Sequence, residues 1–165
     1  FVGRLSLHAK ANPLPMYLAC ARAARASGKT IRILECGWFA NDPIRESFEE
    51  AARVADVRVD RVDGRQPGVT RTAYQSADIF VSLSDNIQET FGLTPVEAMA
   101  AGLPVVASDW DGYRETVRDG IDGVLVPMGF PVGLGNRQFL QKPGRALNGH
   151  RNVPERRFPM PFTPN

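Results

Sequence analysis

Glu89 and Glu97, with seven residues between them, lie in the stretch from Asp85 to Asp109, whose Gly92, Thr94 and Pro95 describe a loop running into a helix. Gly92 permits close backbone approach, and the unpaired amides of a helix start suit an anion such as a diphosphate. Two carboxylates by themselves would also fit Mg²⁺. Thr94-Pro95-Val96-Glu97 carries the pattern of a capping box. Thr94 as N-cap can accept from the Glu97 amide, Pro95 fits the first turn, and Glu97 can reach back to the Thr94 amide. The spacing predicts a helix that continues through Ala98 to Ala101 and stops at Gly102.

Such a loop must be held by what flanks it. Ile79 to Leu83 before it and Pro104 to Ala107 after it are short apolar runs of the buried parallel-strand type. The unit is strand, loop, helix, strand, which places the loop at the carboxyl ends of the strands, where open α/β sheets bind ligands. The rest of the chain repeats the alternation. Phe1-Val2-Gly3 reads as a strand end and Arg4 to Asn12 as the loop after it, which brings Arg4 and Lys10 to the same edge as Glu89. A helix is expected over Pro13 to Ser27, with Leu14, Tyr17, Leu18, Ala21 and Ala24 on one face, then a strand over Thr30 to Cys36. Asp42-Pro43 opens a second helix that buries Ile44, Phe48, Ala51, Ala52 and Ala55. Val57 to Val62 alternates apolar and charged residues, as a strand with one face nearer solvent does. Gly64 to Gly68 make a turn, Val69 to Ala77 a short helix, Tyr113 to Arg118 another, and Gly123 to Val126 a final strand. Six strands alternating with helices imply an α/β fold, a Rossmann-like doubly wound parallel sheet.

After Pro127 the periodicity fails. Residues 129–165 hold five Gly, six Pro and six Lys or Arg against one acid. They are expected to form a Gly/Pro/Arg-rich irregular tail beside a domain of residues 1–128. The whole chain of 165 residues is the size of one ordinary domain, with 43% apolar and 23% charged residues. A net charge of +2 gives no support to a nucleic acid partner. No apolar run is long enough for a transmembrane segment, and no signal-peptide pattern opens the chain, so a cytoplasmic setting, at most peripheral to a membrane, is expected. Cys20 and Cys36 read as small buried apolar residues rather than a disulfide, and the two histidines, His8 and His150, have no metal-ligand spacing. The start at Phe1-Val2-Gly3, already in strand material and without Met, reads as a piece of a longer protein.

The run Glu89-Thr90-Phe91-Gly92-Leu93-Thr94-Pro95-Val96-Glu97-Ala98-Met99-Ala100-Ala101-Gly102-Leu103-Pro104-Val105-Val106 resembles the E-x7-E signature of the retaining glycosyltransferases of family 4 (group 1), which have the two-domain GT-B fold. The resemblance covers about three quarters of the chain. It implies the C-terminal, nucleotide-sugar-binding domain of an enzyme that transfers a sugar from a nucleoside diphosphate donor (UDP, GDP or ADP linked) to an acceptor. In that family an Arg and a Lys after the first strand bind the donor diphosphate, which implies Arg4 and Lys10. Lys10 lies six residues after Arg4, one more than the common pattern. Gly92, Leu93 and Thr94 would present amides to the diphosphate, and Glu89, Phe91 and Gly92 would meet the donor sugar. Glu97 would accept from the ribose hydroxyls, and Val62, Asp63 and Gly64 would lie near the base. Glu89, Arg4 and Lys10 carry the catalytic expectation, since cations and oriented amides stabilise the charge that builds on the leaving diphosphate. The resemblance also implies that these groups replace a metal and that no cofactor is needed. An N-terminal acceptor domain would be missing, leaving the fragment inactive alone. A GT-B sugar-nucleotide epimerase and a non-catalytic nucleotide-sugar-binding module are the alternatives. There is no G-x-G-x-x-G, P-loop or G-x-S-x-G motif to support dehydrogenase, P-loop or hydrolase readings.

Overall fold

The computed structural model describes residues 1–6, 12–84, 92–110 and 112–127. They belong to one compact unit, Phe1–Met128. Strands and helices alternate: β1 (Val2–Leu5), α1 (Pro13–Ser27), β2 (Arg32–Phe39), α2 (Asp42–Ala55), β3 (Arg58–Asp63), α3 (Val69–Ser76), β4 (Phe80–Ser82), α4 (Leu93–Ala100), β5 (Val105–Ser108), α5 (Tyr113–Thr116) and β6 (Gly123–Val126). All pairings among the described strands are parallel, as expected of strands joined by helical crossovers.

Hydrogen bonding divides the described strands into two three-stranded sheets, ordered β1-β2-β3 and β4-β5-β6, where the sequence implied one doubly wound sheet. Strand β4 is three residues long and pairs with β5 over all three. Side chains join the halves instead: Val81 and Leu83 pack into the core formed by Leu5, Met16, Tyr17, Ile33, Phe48 and Ala55. Val2 of β1 packs in turn against the core of Tyr74, Phe80, Ala98, Val105, Tyr113 and Val117. Burying each large apolar side chain of this kind stabilises the fold by about 1.5–3 kcal/mol.

Local chemistry sets the element ends. The Asn12 side chain accepts from the Leu14 amide at 3.0 Å ahead of Pro13, and Asn41 accepts from the Ile44 amide at 3.1 Å ahead of Asp42-Pro43. The buried stripe of α1 is Pro13, Met16, Tyr17 and Ala21, so the expected face is rotated and Leu18 is exposed. Strand β2 runs three residues past Cys36 because β1 stays paired with it to Leu5↔Phe39. The same pairing makes Arg4 the partner of Trp38, a strand residue rather than a loop one. Gly37 sits where a Cβ would lie 2.0 Å from the Gly3 carbonyl oxygen, so no other residue fits between β1 and β2 there. Helix α5 stops at Thr116, two residues short of expectation, since Val117 turns extended and buries its side chain.

Candidate functional site

The carboxyl edge of the first sheet gathers Arg4, Val62 and Gly64. Arg4 is exposed near the end of β1, above a cavity of about 20 Å³ whose walls include Ser6, Asn12, Glu35 and Leu83. Beside it, the ends of β2 and β3 border an open groove of about 560 Å³ lined by Leu5, Gly37, Trp38, Val62, Asp63 and Arg65. Val62 is exposed there. The Gly64 amide donates to the Gly37 carbonyl at 3.3 Å, and a Cβ on Gly64 would press on Cys36 Sγ at 3.2 Å. Asp63 accepts two guanidinium bonds from Arg65, at 2.9 and 2.8 Å, and the Arg65 amide at 3.0 Å. Those bonds hold its carboxyl at about 2, below the ordinary carboxylate range.

The second cluster is built around α4. Gly92, not Thr94, is its N-cap, in the left-handed region at φ 56°, and a glycine brings no side chain to cap the helix. Thr94 and Glu97 are therefore both within the helix and form no capping box, because the chain turns into α4 two residues earlier than the Thr-Pro signal implied. A Cβ at Gly92 would lie 2.5 Å from the Tyr113 ring, which is why the turn can be made only by glycine. Tyr113 is buried, and its hydroxyl shares a 2.9 Å hydrogen bond with Ser82 Oγ at the end of β4. Beside it, Ser108 Oγ donates to the Ser84 carbonyl at 2.6 Å, joining the ends of β4 and β5. Leu93 is exposed at the helix start and Thr94 half-buried behind it.

Glu97 stands exposed one turn further on, and the Tyr74 hydroxyl donates to its Oε2 at 3.0 Å while also approaching the Thr94 carbonyl at 3.3 Å. Tyr74 is buried and packs against Phe80 with ring centroids 5.9 Å apart. Burial first, then the bond to Glu97 and its charge, push the Tyr74 phenol up from its ordinary value, so it stays a donor through the physiological range. Glu89, Phe91 and Lys10 lie outside the described residues.

Sequence reasoning missed a buried polar group beneath the first sheet. Glu35 accepts from the Tyr17 hydroxyl at 2.5 Å and from Arg61 Nε at 2.9 Å. Burial foremost, with the Glu35 charge behind it, pushes the Tyr17 phenol up. The signal was present: a carboxylate inside the apolar run Ile-Leu-Glu-Cys demands a partner once buried. Tyr74 gave no such signal, being one aromatic among the core positions of α3.

This geometry has relatives. The family model for glycosyl transferases group 1 matches residues 1–137. The chain belongs to that family. The D-inositol 3-phosphate glycosyltransferase of Corynebacterium diphtheriae is 33% identical over 135 residues, covering 80% of this chain and 31% of that protein. The phosphatidyl-myo-inositol mannosyltransferase of Mycobacterium leprae is 52% identical over 63 residues, covering 38% of this chain and 16% of its own length. The group 1 chain thus spans less than a third of either relative. Among solved structures it is similar to the GtfA/B complex, with a TM-score of 0.58, 24% identity and coverage of 84% of this chain and 26% of that one. Anabaena Alr3699/HepE in complex with UDP and glucose gives a TM-score of 0.58 at 23% identity over 78% of this chain and 34% of that one. The GT-B type of α/β fold expected from the sequence is borne out. Among the described residues no helix is long and apolar enough to cross a membrane.

Proposed function

We propose that residues 1–128 are the donor-binding half of a retaining glycosyltransferase and that residues 129–165 lie outside that half. The reading rests on one observation above all: α4 starts at a glycine, and its Glu97 is engaged by Tyr74 on an exposed face instead of being used to cap the helix. In this reading the amides at Gly92, Leu93 and Thr94 meet a diphosphate, and the Glu97 carboxylate meets ribose hydroxyls. Arg4 supplies the fork-shaped cation that would hold adjacent phosphate oxygens as the glycosidic bond breaks, with Lys10 as its companion. Glu89 and Phe91 take the sugar, and the groove beside Val62 and Gly64 takes the base. In this reading the charge on the leaving group is met by Arg4, Lys10 and helix amides, without a metal. The complex of Alr3699/HepE with UDP-glucose supports a nucleotide-sugar donor class. The acceptor would be bound by a further, N-terminal domain, so this chain alone binds donor nucleotide and transfers nothing.

Calorimetric titration with UDP, GDP and ADP in the presence of chelator, repeated on Arg4→Ala, tests the reading. One diphosphate binding without metal, with affinity lost in Arg4→Ala, is the expected result. Failure of all three to bind at millimolar concentration overturns the donor-half assignment for this chain, and undiminished binding by Arg4→Ala removes Arg4 from the site.

A further inference from the structure

Helix α3 touches both clusters of the candidate site. Thr70, near its start, donates from Oγ1 to the Gly64 carbonyl at 3.3 Å, and Tyr74 donates to Glu97 at 3.0 Å. The two residues are four apart and so lie one above the other on one face of the helix. That face is the buried side: Thr70 is half-buried, in contact with Cys36 Sγ at 3.8 Å, and Tyr74 lies within the core beside Phe80. The two ends of the helix therefore grip two binding elements, the turn after β3 and the carboxylate on α4.

We propose that α3 is a bracket that fixes Gly64 and Glu97 relative to one another, and that Tyr74 is a positioning residue which orients the Glu97 carboxylate toward the ribose of the donor. The proposal rests on the ribose-binding reading of Glu97. Glu97 is exposed, and a carboxylate on a surface helix samples several rotamers, each of which must be given up on binding. A phenol fixed by its own ring packing removes much of that freedom before the ligand arrives, which is how preorganisation raises affinity. The hydroxyl cannot follow the carboxylate outward, because the ring is seated against Phe80. Tyr74 touches no ligand in this arrangement; it acts through Glu97.

The test uses the full chain and compares the diphosphate it binds best with the 2′,3′-dideoxy form of the same nucleotide, by calorimetry on the parent, Tyr74→Phe and Glu97→Ala. Tyr74→Phe keeps the ring and removes only the donor, and its thermal midpoint is followed to show that the fold persists. In Tyr74→Phe, binding of the ribonucleotide weakens about tenfold, as for loss of a hydrogen bond to a charged group, while the dideoxy form is nearly unaffected. The preference for ribose collapses in Glu97→Ala. A full ribose preference in Tyr74→Phe, with that preference lost in Glu97→Ala, overturns the positioning role and leaves the ribose reading intact. A ribose preference unchanged in Glu97→Ala overturns the ribose reading, and the proposal with it. If Tyr74→Phe weakens ribo and dideoxy forms equally, the residue is only structural.

Discussion

The two three-stranded sheets solve the same problem with different materials. Strands β1 to β3 are four, eight and six residues long and carry charge within them, in Arg4, Arg32, Glu35, Arg58, Asp60, Arg61 and Asp63. Strands β4 to β6 are three, four and four residues long, F-V-S, V-V-A-S and G-V-L-V, and carry none. In the first half a buried carboxylate is compensated by a guanidinium and a phenol from other elements. In the second, the fully buried polar residues among those described carry hydroxyls, Ser82, Ser84 and Ser108. A hydroxyl is small and neutral, so its desolvation costs little once a single partner is found. A buried charge requires a complete network. The strands of the half that presents Gly92 and Glu97 thus carry no charge of their own, and Glu97 stands exposed where a ligand can meet it.

The comparison can be broken most severely at the strand crossings. Gly37→Ala forces a methyl group onto the Gly3 carbonyl and Gly123→Ala one onto Val105, so each is expected to cost about 4 kcal/mol or more. Urea unfolding measures the loss, and hydrogen exchange shows whether each opens its own sheet first. Next comes Glu35→Ala, which strands Arg61 and the Tyr17 hydroxyl beneath the first sheet; a loss of about 3 kcal/mol is expected, with Glu35→Gln losing less. Tyr113→Phe removes one hydrogen bond from the second half and keeps the ring. About 1–2 kcal/mol by thermal unfolding is expected, and a loss exceeding that of Glu35→Ala would contradict the contrast drawn between charged and neutral halves. The smallest effect belongs to Arg32→Ala, whose pair with Asp60 at 2.7 Å is largely exposed; no more than about 0.5 kcal/mol should be lost, and less at high salt.

Much of the fold was legible because hydrophobic periodicity and capping chemistry are local. Helix α1 and strand β6 have the bounds their residues suggest, since Asn12-Pro13 and the run Gly-Val-Leu-Val need no distant partner to be read. What depends on pairing was not legible. The extension of β2 to Phe39 and the placing of Arg4 within β1 follow from register with a neighbour. The Thr94 capping box was a sound local inference that lost to tertiary structure, because the Tyr113 ring from a later element fixes the turn at Gly92. Of the candidate site, the residue types were readable from the motif, but their supports were not. Tyr74, Thr70, Ser82 and Tyr113 become recognisable only when their hydroxyls are seen to meet something.

The seat of Gly92 on Tyr113 also gives the protein a built-in gauge. The hydrogen of Gly92 that stands where a Cβ would go is close to Cδ1 and Cε1 of the Tyr113 ring, so its resonance is displaced by the ring current. If the start of α4 shifts against the ring, whether through ligand, temperature or substitution, the separation between the two α-proton signals of this one glycine changes. The seating of the motif on the ring can then be followed in solution by NMR.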